Sequence, residues 1–193
     1  MEPTDALVQR LGEIHHTVHN NGQRTLECIL KTCSEMFCDR GAVRTTTGQD
    51  DSGFVVHGWD QNDEESMRVH LCTEDRIGVR LARTLLEAAD GLPLVLVSIE
   101  GPTPFTRREC ASQRVQFFNA NTMCVNVSRH QLVPRHQRID KAPYSLDPEH
   151  LPCILEGDSV VQYYNWPVGT IVKIDRVFGG SEPVPYYRVV GRS

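Results

Sequence analysis

Apolar positions in the first forty residues recur at helical spacing. Leu7, Leu11, Ile14 and Val18 fall three or four apart, and Asn20-Asn21-Gly22 stops the run. Leu26, Ile29, Leu30, Cys33, Met36 and Phe37 form a second stripe, closed by Asp39-Arg40-Gly41. The chain is therefore predicted to open with two amphipathic helices. From Ala42 the period shortens towards two. AVRTTT, FVVHGW (54–59) and MRVHLCT (67–73) read as short strands, with the acidic turn Asp63-Glu64-Glu65 between the last two. Ile77, Leu81, Leu85 and Ala88 mark a third helix that ends at Asp90-Gly91. LPLVLVSI (92–99) is apolar throughout, the pattern of a strand buried on both faces. Thr103 is placed to cap a following helix with Pro104 at its first position. VQFFN (115–119) and MCVNV (123–127) read as further strands.

Beyond residue 125 the pattern is denser. Pro134 fixes its own backbone and pushes Val133 towards an extended conformation, so LVPRH is a rigid, extended piece. Asp158 is the N-cap of a short helix that turns Val160, Val161 and Tyr164 inward. TIVKI (170–174) alternates, residues 178–182 make a loop, and VPYYRVV (184–190) returns as a partner strand. A helix on a small antiparallel hairpin is the economical reading.

Charge sharpens the division. Up to Cys124 there are 12 Lys/Arg and 18 Asp/Glu; from Val125 onward there are 8 and 7. The acidic bias ends where the second pattern begins, which gives two expected domains, 1–124 and 125–193. A free-standing nucleic-acid binder carries a basic excess to neutralise phosphates. With a net charge of −5, any such contact here must be local, and Arg107, Arg108 and Arg114 are the only concentrated positive charge in the first half. No apolar run approaches the ~20 residues of a membrane helix, and the N-terminal MEPTDALVQR lacks the pattern of a signal peptide. Membrane partners are not expected.

Catalytic chemistry finds little support. Seven cysteines without a CxxC pair fit reduced thiols. Cys28, Cys33 and Cys38 are each turned by about 140° from the last and share no helix face. His15 and His19 have metal-compatible spacing, but no HExxH frames them and a solvated polar face is the simpler reading. P-loop, GxGxxG and zinc-ligand spacings are absent. No metal or cofactor is expected.

HQLVPRH (130–136) resembles a motif of a family shared by archaeal and eukaryotic RNA polymerases: a small assembly subunit in archaea, and the fifth-largest subunit of the nuclear enzymes. The matching positions are His130, Leu132, Val133, Pro134, Arg135 and His136. Leu151, Pro152, Ile154, Asp158, Val160, Tyr163, Gly169, Val172, Lys173, Ile174, Arg176, Tyr187 and Arg188 follow in the family's order. The first half resembles, more weakly, the jaw domain that the eukaryotic members have and the archaeal members lack. The resemblance implies an α+β protein. Its N-terminal α/β jaw domain would have helices on a mixed, restriction-endonuclease-like sheet, followed by a small C-terminal α+β assembly domain.

It also implies a non-catalytic subunit of a DNA-directed RNA polymerase. The assembly domain would dock on the largest subunit through His130, Leu132, Val133, Pro134, Arg135, His136, Lys173, Arg176, Tyr187 and Arg188. The jaw would lie near downstream duplex DNA, held without sequence specificity, at Thr103, Pro104, Arg107 and Arg108. Further expected partners are the rest of the polymerase core and transcription regulators. Read alone, Arg135, His136 and Arg138 either serve a partner or decorate an exposed loop. The short 140–150 segment and the final Gly191-Arg192-Ser193 depart from the family pattern, as in a divergent protist or large-virus member. The expected location is the nucleus, or a viral factory or virion for a viral member. The alternatives are a metal-dependent, nuclease-like protein and a free transcription adaptor of the same fold. In the nuclease reading, Glu100 of SIEGP lacks the lysine that would activate water.

Overall fold

The computed structural model describes residues 2–14, 21–141, 143, 150–177, 179 and 182–192. The two apolar stripes at the start become α1 (Pro3–Ile14) and α2 (Gly22–Asp39). Leu7, Leu11, Ile29, Met36 and Phe37 are fully buried along them, and Asn21 caps α2 by accepting from the N–H groups of Gln23 and Arg24. His15, His16, Val18 and His19 lie outside the described residues.

The chain divides into two compact units, Met1–Val125 and Asn126–Ser193. In the first, β1 (Arg44–Asp50), β2 (Gly53–Trp59), β3 (Glu65–Cys72), β5 (Leu94–Ser98) and β7 (Val115–Asn119) form one sheet in the order β1-β2-β3-β5-β7. The first three strands pair antiparallel and the last three parallel, so the sheet is mixed. All five residues of β5 are buried, as its apolar run predicts. A smaller parallel pair joins β4 (Arg76–Ile77) to β6 (Gly101–Pro102).

Helices occupy both faces. α2 packs on β2 so closely that a Cβ at Gly58 would lie 2.9 Å from the Phe37 ring. On the other face α3 (Val79–Ala89) buries Ala82, Leu85 and Ala89 against Leu94, Leu96 and Cys72. Two expectations change here. Ala88 is exposed and Ala89 takes its place, because Ile77 belongs to β4, where its carbonyl accepts from Thr103 N–H and the Thr106 hydroxyl; the helix starts only at Val79. MCVNV is not a strand. It splits between α5 (Ala120–Met123) and a 3₁₀ turn (Val127–Arg129), because the Asn126 side chain accepts from the Ser128 N–H and hydroxyl and turns the backbone.

In the second unit the expected hairpin, β10 (Ile171–Arg176) with β11 (Val184–Gly191), is the middle of a larger sheet. β8 (Arg135–Ile139) adds antiparallel to β10 and β9 (Cys153–Leu155) adds parallel to β11, giving the order β8-β10-β11-β9. α6 (Ser159–Tyr164) is capped by Asp158, which accepts from Val160 and Val161 N–H, and closes a core of Ile154, Val161, Val172, Ile174 and Val190. Tyr163, not Tyr164, is the buried tyrosine. Its hydroxyl accepts from Asn126 Nδ2 at 3.0 Å, while Tyr164 stacks on Trp166 with ring centroids 4.7 Å apart. Most of the 140–150 segment lies outside the described residues. Among the described residues, no helix is long and apolar enough to cross a membrane.

Candidate partner interface

The HQLVPRH stretch forms a tight turn that runs into a strand. Val133 N–H donates to the His130 carbonyl at 2.9 Å and Leu132 N–H to His130 Nδ1 at 3.3 Å. The turn throws Leu132 outward, 81% exposed. Only from Arg135 is the backbone the extended piece that Pro134 predicts. Pairing with β10 then sets Arg135 opposite Asp175 and His136 opposite Ile174.

This geometry groups part of the expected docking set. Leu132, Val133, Pro134, Arg135 and Arg176 line one groove of about 590 Å³ together with Gln131, Asp175, Val177 and Pro183. Val177 is 62% exposed, and the nearby strand residues Val184 and Tyr186 are 45% and 41% exposed. The Arg176 guanidinium lies 5.1 Å from the Tyr186 ring centre. The groove is thus lined by five apolar residues, Leu132, Val133, Pro134, Val177 and Pro183, with Arg135, Arg176 and Asp175 beside them. Val184 and Tyr186 escape sequence reasoning, because a β-branched or aromatic residue in a strand looks the same whether its face is covered or open.

The other expected residues have separate settings. Lys173 pairs across the sheet with Tyr187, on the face opposite Val172 and Ile174, and its ammonium reaches Asp175 at 3.1 Å. Arg188 donates to the Cys153 carbonyl at 2.7 Å, tying β11 to β9. His136 Nδ1 sits 2.7 Å from the Pro134 carbonyl, a bond that braces the entry to β8.

In the first unit, Thr103 caps α4 (Pro104–Glu109) with its hydroxyl accepting from Thr106 N–H at 3.1 Å, and Pro104 takes the first turn. The fully buried Thr106 donates its hydroxyl to the Ile77 carbonyl at 3.0 Å. Arg107 and Arg108 are exposed, and Arg108 lies 5.9 Å from the ring centre of Phe105, which is 54% exposed. Glu100 pairs with Arg76 at 2.6 Å.

Elsewhere the ionisable groups hold structure together. Arg68 binds Glu65 through Nε at 2.8 Å and Nη2 at 2.6 Å, and His57 Nδ1 meets the same carboxylate at 2.6 Å. The bond from Arg68 is the main reason the Glu65 carboxyl is held below its ordinary range. Burial pushes the thiols of Cys33 and Cys72 up to about 12 and that of Cys124 to about 11. Such thiols are inert as nucleophiles at neutral pH. Among the described residues, no group of three or more His, Cys, Asp or Glu is arranged to hold a metal ion.

Residues 125–190, which include this groove, match the family model of the RNA polymerase Rpb5 C-terminal domain. The full chain is similar to the DNA-directed RNA polymerases I, II, and III subunit RPABC1 of Caenorhabditis briggsae, at 26% identity over 94% of this chain and 95% of that protein. The likeness is to Rpb5-type subunits. The DNA-directed RNA polymerases IV and V subunit 5B of Arabidopsis thaliana is 32% identical over 54% of this chain and 51% of its own length. The rpabc1 subunit of Dictyostelium discoideum is 33% identical over 42% and 48%. These relatives are subunits of DNA-directed RNA polymerases, and the likeness to the nematode protein runs through both units.

Proposed function

We propose that this chain is an Rpb5-type, non-catalytic subunit of a nuclear DNA-directed RNA polymerase, anchored to the largest subunit by the groove at Leu132. The observation that carries the reading is that groove: exposed apolar residues from two separate segments, beside Arg135, Arg176 and Asp175, inside the unit that matches the Rpb5 C-terminal domain. An exposed apolar patch ringed by charge is the usual mark of a protein interface. Its partner presents apolar side chains flanked by carboxylates.

The N-terminal unit acts as the jaw, a mixed-sheet domain of the restriction-endonuclease-like kind. It faces downstream duplex through Thr103, Pro104, Arg107 and Arg108. Such a contact is made to phosphates and is indifferent to sequence. The ion pair that engages Glu100 supports a structural role for that carboxylate.

Purification of the tagged chain from its native source tests the reading. The two largest polymerase subunits should accompany it in roughly equal amounts. Leu132→Asp with Val177→Asp should deplete them at least tenfold. Both side chains are exposed, so the stability of the chain should stay within the small range expected of surface changes, about ±0.5 kcal/mol. A chain that purifies alone removes the polymerase assignment.

A further inference from the structure

α4 carries an aromatic ring that a duplex-facing patch does not need. Phe105 is 54% exposed, whereas Phe37 and Phe118 are buried. Its orientation is fixed from below. Thr106 and Cys110, four apart, are both buried, and Thr106 is bonded to the Ile77 carbonyl at 3.0 Å. With that face turned inward, Phe105 and Arg108, three apart, share the outer face, and the guanidinium sits 5.9 Å from the ring centre.

The nearby carboxylates are already engaged. Glu109 pairs with Arg83 at 2.6 Å and Glu100 with Arg76 at 2.6 Å. No ion pair joins Arg107 or Arg108 to a carboxylate among the described residues. Residues 1–124 carry 18 acidic against 12 basic side chains, so this free positive charge is a local exception.

Duplex DNA keeps its base faces inside the stack and offers phosphates and groove edges. It would use Arg107 and Arg108 but not the ring. A single strand offers both a phosphate and an open base face, and stacking on an aromatic beside an arginine is how such strands are held. We propose that Phe105 and Arg108 form a stacking platform for an unpaired nucleobase of a single strand, with Arg107 on the adjoining phosphate. The proposal rests on the reading of α4 as the nucleic-acid-facing part of the jaw.

The test uses the full-length chain with Phe105→Trp, titrated with oligodeoxythymidine and with a blunt duplex of equal length. Wild-type emission from Trp59 and Trp166 is subtracted. The single strand should quench the added tryptophan and the duplex should not. Phe105→Ala should weaken single-strand binding by about fivefold or more while leaving its salt dependence intact. Arg107→Ala with Arg108→Ala should weaken both ligands and flatten the salt dependence. Emission unmoved by the single strand, equal quenching by duplex, or wild-type binding by Phe105→Ala overturns the platform and leaves Phe105 as a protein contact. Leu132→Asp should leave the titration unchanged. A chain that stacks on the strand yet brings down no polymerase subunits supports the platform and overturns the polymerase assignment instead.

Discussion

His70 shows how one residue sets a response to acid. It lies on β3, 3% exposed, with Nδ1 buried and unpartnered; the carboxylate of Asp50 is 3.8 Å away. Burial lowers its pKa from the ordinary 6.5, against the attraction of Asp50 and with Arg68 and His57 adding to the depression. The unfolded chain therefore binds a proton on His70 that the folded chain resists. That stability is present above about 6.5 and is lost as the pH falls below it. Glu65 is also depressed, but its contribution fades lower, below the ordinary 4.5 of a glutamate. Thermal melts between pH 7 and pH 5.5 should show a falling midpoint in the wild type and a flatter profile in His70→Leu. An unchanged slope in that variant would remove His70 as the source.

At the scale of elements, caps and close contacts decide what holds. Asp158 supplies two acceptor bonds to the start of α6, so Asp158→Ala should cost about 1 kcal/mol by chemical denaturation. Gly58→Ala places a Cβ 2.8 Å from Met67 Cγ and 2.9 Å from the Phe37 ring, which should cost about 1–3 kcal/mol by overpacking the α2–β2 contact. These elements also mark what sequence can reveal. α1 and α2 are legible because their apolar spacing has a single period, β5 because its run is apolar throughout, and α4 and α6 because Thr103 and Asp158 are good caps. β8 is hidden: RHQRI is polar on both faces, and only pairing with β10 makes it a strand. The Ala88 to Ala89 shift in α3 is hidden too, since Ile77 fits a helical stripe until a carbonyl bond from another segment claims it. At the groove, Pro134 and Arg135 are visible as a motif, whereas the outward throw of Leu132 depends on a turn bond between His130 and Val133.

At the scale of the whole molecule, the two units have separate cores, one around Leu94, Leu96 and Leu85 and the other around Val172, Ile174 and Val161. Leu96→Ala should therefore cost about 2–5 kcal/mol in the first unit. Native-state hydrogen exchange should quicken across residues 44–119 and leave amide protection in β10 and β11 as it was. A uniform loss of protection through both units would show that they unfold as one.

The groove has walls from two places in the chain. Leu132, Val133 and Pro134 come from the turn before β8, and Val177 and Pro183 come from the connection that follows β10. They meet only because Arg135 is in register with Asp175. Whatever recognises this surface reads a discontinuous epitope. If the groove binds a partner as proposed, a synthetic HQLVPRH peptide would carry every letter of the motif and still fail to compete, because Asp175, Arg176, Val177 and Pro183 belong to a segment it does not contain.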